Sequence, residues 1–453
     1  MHESHTVSEE RFEFTSGARN KIILVGVVGV ALFALGVFFA SMGGEGEHAG
    51  GHQGALSTST NLLASVQETA DAEAEPAGHE EGNPLVKRII TSLWHNNVFF
   101  TGIGIIGLFF IAIQYAASAG WSAPVKRIPL AIGHWIPFAG IIMLAVYFAG
   151  SHDLFHWSHA GLYQKGEEFD EILDGKKSYF FWPMDGGEFP AFFIFRMVAF
   201  FGLWFLFFVW IKKEMLAEDL DGDVKHWHSA QVLSTVFLII FGVSSSVAAW
   251  DWVMSIDPHW FSTMMGWYVF ASWWVTGLSV ITLILVYLKD AGYLKVVNAN
   301  HLHDLGKFIF AFSVFWTYIW FSQFMLIYYA HFPEETVYFV VRKTVSPYSW
   351  IFYANLVLNF GLPFLLLMTR DAKRHMSMLK VVCPIIIIGH WLDFYLMITP
   401  GIMKYNGAIG FLEIGLALIF MAAFLFVVLS SLAKFPLIAK NHPMMAESMN
   451  HHI

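Results

Sequence analysis

The sequence predicts an all-α integral membrane protein, and its composition, its hydropathy and its charge distribution carry that prediction. Of 453 residues, 56% are hydrophobic and 17% aromatic, and only 13% are charged, whereas about a quarter of a soluble globular chain is charged. Apolar stretches of about 20 residues, the length that crosses roughly 30 Å of hydrocarbon, recur along the chain. This composition excludes a soluble enzyme, and also an outer-membrane barrel, whose strands alternate apolar and polar residues. The net charge of −9 offers no basic surface for nucleic acid.

Taken in order, hydropathy gives about ten spans: 22–42, 97–118, 128–148, 190–211, 231–254, 264–288, 307–330, 346–368, 379–399 and 411–432. The eighth carries Pro347 and Pro363 and is the least regular. The first follows Arg19 and Lys21 and ends in small residues near Ser41, as a signal peptide would. It is longer than the apolar region of a signal peptide and has no lipobox cysteine, so it reads as a retained span. About 17 lysines and arginines fall on the side of the termini against about eight on the other, which places both termini, 1–21 and 433–453, in the cytoplasm.

Two outer loops stand out. Residues 43–96 are rich in Gly, Ala, Ser, His and Glu, a composition that cannot bury a core. Their histidines, His48, His52 and His79, are irregularly spaced and do not read as a metal site. Residues 150–189 are acidic and aromatic, with Phe155, Trp157, Phe180, Phe181 and Trp182 suited to a membrane interface or a partner subunit. The single cysteine, Cys383, excludes an intrachain disulfide, a four-thiolate iron–sulfur cluster and a C-x-x-C-H haem attachment.

Ionisable groups within hydrocarbon cost about 2.5 kcal/mol or more, so each needs a reason. His134 lies in span three, Arg196 in span four, Asp251 at the outer end of span five, and Glu413 just inside span ten. Ser244 is seven residues before Asp251, on the same helical face. His390 and Asp393, three apart near the middle of span nine, share a face. His301 and Asp304 stand at the start of span seven. These nine residues read either as a proton relay, with His301 and Asp304 at its entrance, or as satisfied polar contacts between helices. A haem held by two histidines has one intramembrane pair to draw on, His134 with His390, and no repeated histidine pattern supports it.

The stretches WDWVMSIDPHWFSTMMGWYVFASWW, from Trp250, and HLHDLGKFIFAFSVFWTYIWFSQFMLIYYAHFPEE, from His301, carry a family resemblance. The chain resembles the F-type membrane subunits of alternative complex III, within the polysulfide-reductase membrane-subunit (NrfD-like) superfamily, over nearly its whole length. The resemblance implies two four-helix bundles, spans two to five (97–254) and six to nine (264–399), flanked by spans one and ten, in a bacterial inner membrane. It implies a subunit without redox centres, not catalytic alone, in a complex that oxidises menaquinol or another quinol. Its partners would be a sister NrfD-like C subunit, multihaem and monohaem cytochrome c subunits, an iron–sulfur subunit, small membrane subunits, lipid and a terminal oxidase, with the c-type haems and iron–sulfur clusters outside this chain. The resemblance further suggests a transmembrane proton path or, alternatively, a membrane anchor. No motif carries quinol ligands over residue by residue.

Overall fold

The computed structural model describes residues 10–43 and 83–451. Within them, ten helical segments are long and apolar enough to cross a membrane, and the one strand-like pairing is an isolated bridge between Arg11 and Pro436. The helices are α1 (Ser16–Gly43), α2 (Pro84–Ala116), α3 (Arg127–Gly133), α4 (Ile136–Leu154), α5 (Glu171–Phe181), α6 (Ala191–Asp221), α7 (Val224–Trp252), α8 (Met265–Asp290), α9 (Ala299–Ala330), α10 (Pro333–Thr344), α11 (Tyr348–Leu356), α12 (Leu362–Leu366), α13 (Met376–Met403), α14 (Phe411–Leu432) and α15 (Met445–Met449). The protein is an all-α, multi-pass membrane protein.

Local chemistry explains where the helices start and break. Asn83 caps α2 by accepting the Leu85 amide (3.0 Å), and Pro84 takes the first helical position, where no amide proton is needed. The third span breaks between α3 and α4 just before Pro137, which has no amide hydrogen to continue the helical ladder. In the eighth span a π turn, Val357–Gly361, separates α11 from α12 ahead of Pro363, so the irregularity expected there is present. Gly222, with φ 68°, ends α6 in the left-handed region.

Packing sorts the spans into two four-helix groups. In the first, α2 lies on α3, α4 and α7, α7 on α6, and α6 on α4. In the second, α8 lies on α9 and α13, and the α11–α12 span closes against both of these. The groups meet where α2 touches α8 and α13 and where α7 touches α8, which makes α2 and α8 the most deeply buried spans. Outside both, α1 pairs with α14. A Cβ on Gly36 would lie 2.4 Å from the Leu412 amide nitrogen, and one on Gly415 2.4 Å from that of Phe33. Only glycine allows these two backbones to approach so closely.

The structure redraws several boundaries. Helix α2 starts at Pro84, well before 97, so the outer loop expected over 43–96 is shorter; His48, His52 and His79 lie outside the described residues. Helix α10, with Glu334 and Glu335 in its first turn and Arg342 and Lys343 in its last, is an unanticipated element between spans seven and eight. Loop 150–189 is folded. Trp157 stacks on Phe180 (4.1 Å between ring centres, 6° between planes) and packs against Phe193. Of Phe155, Trp157, Phe180, Phe181 and Trp182, only Trp182 is exposed, at 61%; Phe189, at the end of the loop, is exposed as well. The segment after α14 is no free tail: the Leu437 amide donates to the Glu10 carbonyl at 2.8 Å, and residues up to His451 pack across the helix ends.

Candidate functional site: a buried carboxylate in the second bundle

Asp393 sits on α13, fully buried, where four helical segments converge. Its Oδ1 accepts from the Tyr268 hydroxyl and from Asn355 Nδ2 (2.7 Å), and its Oδ2 from Ser272 Oγ (2.7 Å) and Trp316 Nε1 (2.9 Å). The spacing of the chain explains the convergence. Tyr268 and Ser272, four apart on α8, share a face. Trp316 comes from α9, and Asn355 from the last turn of α11 before the π turn. Asn359, inside that π turn, donates to Asn355 and holds its amide in place. A Cβ at position 389 would meet Asn359 Oδ1 at 2.1 Å, so Gly389 is what lets α13 come this close.

His390 is one turn before Asp393 and equally buried. Its Nδ1 lies 3.6 Å from Asp393 Oδ2, outside hydrogen-bond distance, and neither ring nitrogen has a hydrogen-bond partner among the described residues. The ring stands edge-on to Trp316, 5.4 Å between centres. The pair is thus brought together, but as neighbours across a small gap.

Beside Tyr268 lies a small cavity lined also by Trp320, Gln323, Tyr338, Arg342 and Phe352. Gln323 Nε2 is buried there without a partner among the described residues. Arg342, on α10, forms one wall. It donates to the carbonyls of Leu396 (2.8 Å), Tyr338 (2.8 Å) and Met397 (3.3 Å) and pairs with Asp257 at 2.9 Å. Polar groups therefore continue from Asp393 through Tyr268 and the cavity to the partly exposed Asp257.

The remaining candidates are bound elsewhere. Arg196 grips Asp251 with two hydrogen bonds, 2.7 and 2.8 Å, and its third nitrogen donates to the Tyr179 carbonyl at 2.7 Å. The guanidinium also lies over the Tyr179 and Phe192 rings. Ser244 accepts the Trp204 indole N–H at 2.9 Å. The hydrogen-bond shells of Asp251 and Asp393 share no residue. Glu413 accepts two bonds from Arg88 (2.6 and 2.8 Å) and caps its own helix at the Gly410 amide (2.8 Å). His134 donates from Nδ1 to the Leu130 carbonyl (3.0 Å) and accepts Lys212 at Nε2 (2.8 Å). His301 and Asp304 point into the folded C-terminal segment: His301 Nε2 is 3.0 Å from Ser448 Oγ, and Asp304 pairs with His451 (2.6 Å) and Lys307 (2.7 Å).

Tyr268, Ser272, Trp316, Asn355, Asn359 and Gln323 escaped the sequence reading. Asn355 and Asn359 were the readable signal, two amides four apart inside an apolar span, where each needs a partner. Among the described residues, no three His, Cys, Asp or Glu side chains are grouped so as to hold a metal ion. Neither a protein-family model nor a curated protein matches this chain.

Proposed function

We propose that this chain is a membrane subunit of a respiratory quinol-oxidising complex of the alternative complex III type in a bacterial inner membrane. It carries no redox centre itself and offers protons a stepping point at His390 and Asp393. With one cysteine in the chain, buried Cys383, the haems and iron–sulfur clusters of such a complex belong to partner subunits, as does the oxidation of quinol.

The observation that supports the relay is the shell of Asp393. Asp251 and Glu413 are each clamped by an arginine, and protonating either would leave a cation without its partner. Asp393 meets neutral donors instead. Two of them, the Tyr268 and Ser272 hydroxyls, can rotate from donating to accepting, so a protonated Asp393 also finds partners. The clamped pairs favour a second reading, a membrane anchor for the haem and iron–sulfur subunits with its polar residues serving only packing. Reconstituted vesicles separate the two. Under the relay, Asp393→Asn and His390→Gln leave quinol oxidation running while the associated charge movement falls. Unchanged charge movement in both variants selects the anchor.

A further inference from the structure

Residues 437–451 cross the helix ends on the face where Glu10 lies, its carbonyl accepting the Leu437 amide at 2.8 Å. At the end of α6, the Lys440 amide donates to Asp219 Oδ1 (3.1 Å) and the Asn441 side chain to the Asp219 carbonyl (3.1 Å). His442 then covers the residues leading into α3. Its Nε2 accepts Lys126 Nζ at 2.8 Å, and both side chains are buried. Ser448, on α15, donates to the Trp121 carbonyl at 3.0 Å. At the far end His451 meets Asp304 at 2.6 Å, and its carbonyl accepts from Asn298 (3.2 Å) and Asn300 (2.8 Å). The segment thus ties the first bundle to the second.

The His442 end is crowded with titratable side chains. Around His442 stand Tyr115 from α2, Lys126 and Arg127 from the entry to α3, and Glu218 and Asp219 from α6. Burial, and after it the charges of Lys126 and Arg127, push the His442 imidazole from 6.5 down to about 2. Burial likewise pushes the Lys126 ammonium from 10.5 down to about 7, against the pull of Glu218 and with the help of Arg127. Docking this end therefore expels protons that an undocked segment binds, from Lys126 between pH 10.5 and about 7 and from His442 below pH 6.5. Docking weakens as the pH falls through either window, whereas Glu218, buried beside Lys126, pulls the other way: opening returns its carboxyl to water, where it loses its proton more readily, so through this group acidification favours the docked state. His451 faces Asp304 and His301, with Lys307 on the same carboxylate, and its side-chain and carbonyl hydrogen bonds hold the far end of the segment to α9 and its cap.

We propose that residues 437–451 are a strap released through His442: protonation of its imidazole lifts that end from Lys126 while His451 keeps the other end at Asp304, opening the buried Lys126 and Glu218 to water. The strap does not depend on proton movement through Asp393.

Amide hydrogen exchange on the full chain in nanodiscs detects such an opening even when it is rare. Between pH 7.5 and 5.5, titration of His442 alone shifts the docked-to-undocked ratio about tenfold. Protection of residues 440–449, corrected for the intrinsic exchange rate, should fall by about that factor more in the wild-type chain than in His442→Gln. The amide of His442→Gln can still accept from Lys126 but does not titrate, so this variant retains only the opposed contributions of Lys126 and Glu218. A pH dependence of protection that is the same in the two chains overturns the proposal.

Discussion

Replacing Asp393 with asparagine changes one atom in a shell of four donors. With its carbonyl in place of Oδ2, asparagine keeps Ser272 and Trp316 but turns its NH2 toward the Asn355 NH2 and the Tyr268 hydroxyl. The hydroxyl can rotate to accept. The Asn355 amide can turn only by giving up its bond with Asn359. With the carbonyl in place of Oδ1, the NH2 faces the Trp316 indole N–H; the indole keeps its 3.0 Å bond to Ser272 Oγ, but the NH2 hydrogen pointing at it finds no acceptor. Either orientation leaves one buried donor mismatched, a cost of about 1–3 kcal/mol. Titration with dodecyl sulfate in mixed micelles, followed by tryptophan fluorescence, should show Asp393→Asn destabilised by that amount, and Asp393→Ala by more, since alanine takes the acceptor from Tyr268, Ser272 and Asn355 and leaves Trp316 with Ser272 alone. A change below about 0.5 kcal/mol for asparagine would refute the claim that these donors require a carboxylate.

Removing one member of the clamped pair should be costlier: Arg196→Met strands the buried Asp251 carboxylate, with a loss of about 3–5 kcal/mol in the same titration and strong non-additivity in the double variant with Asp251→Asn. The pairing of α1 with α14 can be read by cross-linking. The position a Cβ on Gly26 would take is 3.4 Å from the Ala422 Cβ, near disulfide range, so cysteines at 26 and 422 in a Cys383→Ala background should bridge, and adding Gly415→Leu should abolish the bridge. If loop 150–189 meets a partner subunit, the exposed Trp182 and Phe189 offer the contact; Trp182→Ala with Phe189→Ala should lower co-purification of partner subunits without altering the unfolding midpoint, whereas undiminished co-purification removes both from the interface.

The spans were legible because crossing a bilayer demands a long apolar run, and that demand is written in composition. Boundaries were less so. Thr91, Ser92, His95 and Asn96 are polar enough to end a hydropathy window, yet in α2 they are buried inside the protein rather than exposed to lipid. For the same reason the site was half visible. His390 and Asp393 declare themselves by charge in span nine, but the Tyr, Ser and Trp that satisfy Asp393 are residue types common in any span, and only the helix packing selects which of them serve. Arg196 and Asp251 were separately conspicuous; that they cancel each other depends on the α6–α7 contact, which no local pattern encodes. The strap was hidden because 433–453 has no apolar run of spanning length, while its docking relies on single buried side chains such as His442 and Ser448.

The glycine seam between α1 and α14 also sets an order of events during synthesis. Gly36 leaves the ribosome roughly 380 residues before Gly415, and at about 5–20 residues per second this is a wait of roughly 20–80 s. Throughout that time the first helix is in the membrane without its mate, its narrow small-residue face in contact with lipid or with whatever protein attends insertion. That exposed groove is a mould in which another close-packing helix could settle. Closure of this chain is therefore a race between its own last helix and the helices of its neighbours, decided by how soon translation ends.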